Sequence, residues 1–213
     1  MSKKSILYII YNLDKITLKE VEIFKKYMPP ERIKKCEKFL DLNKKKIYIA
    51  SYFFLWQLLK KNKICSNHPS FKYNHFKKPR LWFTKKICFN ISHTNNTIFL
   101  AISDEPVGVD AEKIKNVPQK LIEKICTKNE LKLIDSSCDY FKSFFYIWTK
   151  KESFVKKNGN SIFLNYAKLD TTNLKNIFSF SFKDLIYSLS FNHHKKFKTK
   201  KLDATLFFNK LKK

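Results

Sequence analysis

Residues 87–112 read ICFNISHTNNTIFLAISDEPVGVDAE, three short apolar runs parted by turn-forming residues. Ile87–Ser92 and Thr97–Ser103 are rich in branched and aromatic side chains and flank Asn95-Asn96, a pattern that predicts two strands joined by a turn. Val107–Glu112 follows the turn Asp104-Glu105-Pro106 as a third strand. Within it Asp110 and Glu112 lie two apart and therefore project from one face. Two like charges on one face call for a cation between them. The chain's many lysines meet that need if the face is solvated. A hard divalent ion meets it at a binding site, because Mg²⁺ asks for only one or two carboxylates beside water and substrate phosphate. The strand alone leaves both readings open.

Upstream, Ser5–Tyr11 alternates and reads as a first strand. Thr17–Met28 reads as a helix stopped by Pro29-Pro30, and Pro30 suits the first turn of a second helix over Glu31–Leu40. Asp41–Asn43 opens a third helix that carries the apolar stretch Ile47–Leu59 to Lys61. Residues 62–86 are polar, hold Pro69 and Pro79, and read as a long irregular connection. Downstream, Pro118–Cys126 and Lys128–Ile134 read as short helices and Asp139–Lys157 as a long one. Strands are expected over Ile177–Phe182, Ile186–Phe191 and Ala204–Phe208. Helices with antiparallel strands in each half predict the α+β class, with an N-terminal subdomain over 1–105 and a C-terminal one over 106–213. No internal sequence repeat accompanies that division.

Composition narrows the function. Hydrophobic residues make up 44% of the 213 positions, too many for a disordered chain. The net charge is +26, yet among 44 basic residues only Arg32 and Arg80 are arginine. Lysine enrichment together with Asn, Ile, Phe and Tyr reflects AT-rich coding more than a selected role. A reader of DNA bases is expected to use arginine forks. The charge still favours acidic partners. The two glycines, Gly108 and Gly159, are too few for a P-loop or a dinucleotide fingerprint. Five cysteines form no C-x-x-C, and Cys65 with His68 lacks a second zinc half-site, so reduced thiols are expected. The apolar run from Ile6 to Tyr11 is short for a signal segment and Ile47–Leu59 short for a membrane span, which leads us to expect a soluble cytoplasmic protein.

Two further segments carry chemistry. In WTKKESFVK over 148–156, Trp148, Glu152 and Lys156 share one helix face, with Lys151 at its edge. Alone this describes an ordinary amphipathic helix with Trp148 packed in the core. In FNISHT over 89–94, Ser92 and His93 can bind phosphate oxygens or cap a turn. As neighbours on a strand they face opposite sides and do not form a nucleophile pair.

Taken in order, FNISH, PVGVDAE and WTKKESFVKKNG resemble the surfactin-type 4'-phosphopantetheinyl transferases, whose signature is (V/I)G(V/I)DxE followed by WxxKE(A/S)xxK. Lys78-Pro79 and the segment PERIKKCEKF over Pro30–Phe39 extend the resemblance upstream. The resemblance implies two similar α/β subdomains about a pseudo-twofold axis with the site between them. It implies transfer of the phosphopantetheine arm of coenzyme A, the co-substrate, to a serine of an acyl or peptidyl carrier protein, releasing 3',5'-ADP. By match, Asp110, Glu112 and Glu152 hold Mg²⁺, with Mn²⁺ as the alternative ion, and Glu152 and Lys156 are catalytic. Coenzyme A contacts fall on Arg32, Lys35, Lys78, Pro79, Ser92, His93, Lys151 and Lys156. The expected partner is an acidic carrier protein met by a monomer, without nucleic acid or membrane. The chain departs from the pattern at Lys77, where glycine is usual, and at Ile47, where an arginine is common and Lys45 or Lys46 would have to substitute. Ala111 replaces a branched residue. The rival reading is a Mg²⁺-dependent nuclease or basic nucleic-acid-binding protein.

Overall fold

The computed structural model describes residues 5–94, 96–159, 166–194 and 196–211. Asn95, half of the expected Asn95-Asn96 turn, lies outside them. Strand β1 (Ser5–Tyr11) leads to helices α1 (Leu18–Lys25), α2 (Pro30–Glu37) and α3 (Leu42–Lys61). Each helix starts where local chemistry dictates. Thr17 and Glu20 form a reciprocal capping box, Pro30 occupies the first turn of α2, and the Asp41 carboxylate accepts from the amides of Asn43 and Lys44. Strands β2 (Phe71–Tyr73), β3 (Pro79–Leu81), β4 (Cys88–His93), β5 (Ile98–Ser103) and β6 (Val107–Lys113) follow. Helices α4 (Gln119–Ile125), α5 (Lys128–Asp135) and α6 (Tyr140–Asn158) precede β7 (Ile177–Phe182), β8 (Leu185–Phe191), β9 (Phe197–Asp203) and α7 (Ala204–Leu211).

The strands form a four-stranded sheet, β4-β5-β1-β9, a three-stranded antiparallel sheet, β6-β8-β7, and the hairpin β2-β3. Strand alternation sorts the core into layers. Tyr8, Ile10, Ile98 and Leu100 on one face of the first sheet pack with apolar side chains of α1, α3 and α7. Leu7, Ile9, Phe99 and Ala101 on its other face meet Val107, Val109, Ala111 and Leu189 of the second sheet. Ile186, on the far side of the second sheet, packs with α4–α6. The architecture is therefore α+β, with helices outside two facing sheets.

Side chains stitch the sheets together at their edges. Asn90 Oδ1 accepts from the Val109 amide at 2.8 Å and Ser92 Oγ from the Ala111 amide at 3.2 Å. These outward N–H groups of edge strand β6 are thus satisfied by β4 without a ladder. On the opposite face α6 lies close against β6 across Gly108. A Cβ there would fall on the Ser153 carbonyl oxygen and stand 2.5 Å from the Lys157 amide nitrogen.

Two expectations from the sequence are corrected. The connection over 62–86 contains the β2-β3 hairpin, whose three-residue strands are too short for periodicity to reveal. Ala204–Phe208 is helical, and the strand lies just before it in FKTKKLD. Asp203 Oδ1 caps that helix by accepting from the amides of Thr205 at 3.0 Å and Leu206 at 3.1 Å. β9 pairs with β1 in parallel as an edge strand whose lysines are exposed, so its pattern reads as loop. The chain passes from the first sheet to the second between β5 and β6. Residues 197–211, expected in the C-terminal subdomain, return to the first sheet, where Phe208 lies 4.7 Å from Phe24.

Gly108→Ala is expected to destabilise the chain by about 3 kcal/mol or more, because the new methyl would overlap the backbone of α6, which has no flexible side chain there to give way. Urea unfolding of the variant against the parent measures it, and a loss below about 1 kcal/mol would show that α6 can shift.

Candidate active site

β6, α6 and the end of β4 converge on a cavity of about 340 Å³ lined by Ser92, His93, Asp110, Glu112, Trp148, Glu152 and Lys156. The alternation of β6 aims Asp110 and Glu112 at it, and the helical spacing of α6 delivers Trp148, Glu152 and Lys156. The two motif blocks thus meet in space. Each carboxylate is held by its own donors. Lys156 Nζ lies 2.6 Å from Asp110 Oδ1, which also accepts from Ser92 Oγ at 3.1 Å. Lys156 reaches Ser92 Oγ at 3.1 Å as well. The Trp148 indole donates to Glu112, and the Tyr166 hydroxyl donates to Glu152 Oε1 at 2.6 Å.

Asp110 Oδ2 is buried and has no hydrogen-bond partner. An orphaned carboxylate oxygen costs free energy unless a cation or water meets it. Together with two more hard oxygen donors in the same cavity, it fits a divalent ion. As the side chains stand, however, no group of three His, Cys, Asp or Glu residues among those described is gathered tightly enough to hold one. In this arrangement the Lys156 ammonium occupies Asp110 Oδ1, and Glu152 Oε1 accepts from the Tyr166 hydroxyl.

Burial pushes the Glu112 carboxyl above its ordinary pKa, and the Asp110 charge adds to the rise. Burial does the same to Glu152, with the Tyr166 hydrogen bond partly opposing it. Tyr166 itself is raised by burial and by Glu152, so it stays a donor. His93 is exposed at the mouth, yet the protein around it, and then Lys156, hold its pKa below the usual value. At neutral pH it is therefore an uncharged hydrogen-bonding group.

Lys151, expected to touch coenzyme A, does not reach the cavity. It is fully buried beside Glu130, Nζ to Oε2 2.6 Å, with neither side chain exposed. Its other protons go to the carbonyls of Ile125 and Tyr166, each at 2.7 Å. Glu130 accepts in addition from the amide and hydroxyl of Thr171, both at 2.8 Å, and from the Thr127 amide at 2.7 Å. The fully satisfied pair ties α4, α5 and α6 to the turn at Tyr166–Lys168. The correction follows from helix geometry: neighbours on α6 point about 100° apart, so Lys151 enters the core where Glu152 enters the cavity.

The remaining expected contacts lie outside this cavity. The Arg32 guanidinium sits 4.7 Å from the Tyr48 ring centroid, 4.9 Å from Tyr52 and 5.4 Å from Phe71, with its Nε buried and unpartnered. Lys35 Nζ is 5.8 Å from the same Tyr48 ring. Pro79 and Lys78 line a second cavity of about 450 Å³. The Lys78 ammonium donates to the carbonyls of Val107, Lys156 and Lys157, capping the end of α6, and burial pushes it down to about 8. Lys77, where glycine was expected, takes a left-handed backbone with φ 61, so the turn keeps a glycine-like conformation despite the side chain. Ile47 is a core residue, and Lys46 donates to the Asp14 carbonyl at 3.1 Å. The sequence reading missed Asn90 and Tyr166. Asn90 sits inside FNISH and was legible there, whereas Tyr166 belongs to no motif block.

Lys151→Met is expected to cost about 3–5 kcal/mol by stranding the buried Glu130 charge, measured by urea unfolding. A loss under about 1 kcal/mol would mean that Glu130 finds another partner. The raised carboxyls give a pH prediction. The folded chain binds the Glu112 and Glu152 protons more tightly than the unfolded chain, so the contribution of these two groups to stability without divalent ion is fully present at low pH and declines as pH rises through the ordinary glutamate range, about 4.3, and beyond. Thermal unfolding from about pH 4 to about pH 8 should show Glu152→Gln flattening that decline. Equal declines in both proteins would remove Glu152 from it.

Residues 106–205 match the 4'-phosphopantetheinyl transferase superfamily. Over 96 residues, 44% of the chain, the sequence is 36% identical to the 4'-phosphopantetheinyl transferase gsp of Aneurinibacillus migulanus, of which the match spans 40%. It is 24% identical over 74% of its length to the 4'-phosphopantetheinyl transferase Sfp of Bacillus subtilis, covering 72% of that protein. A third relative, ffp of Bacillus subtilis, is 37% identical over 36% of the chain and 35% of its own length. The chain thus spans well under half of two of these three relatives. All three are named as transferases, and the nuclease reading finds no support among them. With the ordered blocks meeting at one cavity, residues 106–205 are similar to the 4'-phosphopantetheinyl transferase superfamily, and the chain resembles members such as gsp and Sfp.

Proposed function

We propose that this protein transfers the 4'-phosphopantetheine arm of coenzyme A to a serine of an acyl or peptidyl carrier protein, releasing 3',5'-ADP. The observation that carries the reading is the convergence of Asp110, Glu112 and Glu152 on one cavity with Asp110 Oδ2 unpartnered. Asp110, Glu112 and Glu152 would hold Mg²⁺, or Mn²⁺ in its place, which when bound supplies stabilisation of pyrophosphate charge.

The chain's own groups account for the rest. Glu152, with a pKa raised by burial, takes the serine proton directly or through water. The serine oxygen then bonds to the phosphorus of the phosphopantetheine arm, and the bond from that phosphorus to the ADP oxygen breaks. Lys156, at the cavity wall, neutralises the charge left on ADP once its ammonium leaves Asp110. Ser92 and neutral His93 hold phosphate oxygens at the mouth by hydrogen bonds. Arg32 and Lys35 would grip the cofactor's far phosphate outside the cavity, and the hairpin with Lys78 and Pro79 would contact its nucleotide through the backbone. The lysine-rich surface suits an acidic carrier protein. One long helix per sheet, α3 and α6, supports reading the halves as similar subdomains about a pseudo-twofold axis. A monomer acting in the cytoplasm completes the proposal; among the described residues no helix is long and apolar enough to cross a membrane.

Incubated with coenzyme A, Mg²⁺ and an apo carrier domain, the protein should add one phosphopantetheine to the carrier, read by intact mass. Glu152→Ala should lower the rate by about 100-fold or more while the fold survives. No mass gain across fatty-acid, polyketide and nonribosomal-peptide carriers would overturn the function, and an undiminished rate in the variant would overturn the role of Glu152.

A further inference from the structure

Glu152 is aimed by a residue that belongs to none of the motif blocks. Tyr166 donates its hydroxyl to Glu152 Oε1 at 2.6 Å, a short charge-assisted contact. That hydroxyl is fixed from two sides. The Tyr166 carbonyl accepts from Lys151 Nζ at 2.7 Å, and Lys151 is locked by the buried Glu130 carboxylate. The Tyr166 ring lies 5.3 Å from the ring of Trp148, which itself donates to Glu112. Two packed aromatic residues therefore each hold one carboxylate of the cavity.

We propose that Tyr166 is a positioning residue for Glu152: it takes one carboxylate oxygen, leaves the other for the cation, and carries the rigidity of the Glu130–Lys151 pair to the cavity. A free glutamate has several rotamers and must lose that freedom on binding an ion. A phenol whose backbone is tied to a buried ammonium removes the freedom beforehand. The arrangement also gives Lys151 a function beside Glu152 without contact with any ligand: it holds the residue that holds its neighbour. This inference rests on Glu152 being a metal ligand.

Tyr166→Phe deletes the hydroxyl and keeps the ring against Trp148. Mn²⁺ binding to the full chain, measured by electron paramagnetic resonance of the free ion, should weaken about tenfold. In the transfer assay the metal concentration for half-maximal rate should rise to a similar extent, while kcat at saturating metal stays within about threefold. A merely structural role would lower the unfolding temperature without moving metal affinity, and that result overturns the inference. So does a fall in kcat alone at unchanged affinity, which would assign the hydroxyl to proton transfer. If the unmodified protein binds no Mn²⁺, the metal reading falls and the inference with it. If the unmodified protein binds Mn²⁺ and Tyr166→Phe binds it equally, only the inference falls.

Discussion

The close approach of α6 to β6 across Gly108 is the contact on which the rest of the site depends. Asp110 and Glu112 are fixed to β6, whereas Glu152 and Lys156 are fixed to α6. Their separation is set by how near the helix backbone comes to the strand. Only a residue without Cβ admits the Ser153 carbonyl and the Lys157 amide at that distance. The other glycine serves the same helix from its end: Gly159, with φ 74, closes α6 while its amide reaches the Val155 carbonyl at 2.9 Å. A Cβ on it would stand 2.8 Å from Asn74 Nδ2, in the turn that also carries Lys78 onto the last carbonyls of α6. In a chain that uses glycine so sparingly, both copies are spent on placing one helix.

The charges around that helix follow one logic. Gathering three carboxylates in a half-buried cavity is unfavourable, and each is offset by a specific donor rather than by the general excess of lysine. Lys156 and Ser92 serve Asp110, Trp148 serves Glu112, and Tyr166 serves Glu152. The compensation is incomplete, as the unpartnered Asp110 Oδ2 and the raised Glu112 and Glu152 carboxyls attest. Incomplete internal compensation is what a site for an external cation requires. A fully satisfied cluster, such as Glu130 with Lys151, has nothing left to bind.

How much of this was legible depended on whether a feature is local. Capping at Thr17 and Asp41, the strand alternation of β6 and the shared face of Trp148, Glu152 and Lys156 follow from spacing alone. The convergence of β6 with α6 does not, and there the order of motif blocks supplied what periodicity could not. The edge strand β9 failed because its exposed lysines erase the alternation that a half-buried strand displays. Ala204–Phe208 failed because the side chain that decides for a helix, Asp203, stands just outside the apolar run. Lys77 was read as a break in the pattern, yet its backbone adopts the conformation a glycine would take, a fact invisible to residue type.

Lys151 and Glu152 show most clearly why adjacency in sequence misleads about role. Both charges lie in one motif, and matching by position gave Lys151 to coenzyme A and Glu152 to the metal. One step along α6 turns a side chain by about 100°, which is enough to send the ammonium into a fully enclosed pair and the carboxylate into the cavity. A buried ion pair adds little net stability over an apolar substitute of equal volume, while removing one partner is costly. Its value here is therefore better sought in geometry. It joins the ends of α4, α5 and the Tyr166 turn to the middle of α6 through directional hydrogen bonds that an apolar cluster would not impose. The Lys-Glu pair of the motif then reads as one device, in which the first residue immobilises the wall that orients the second.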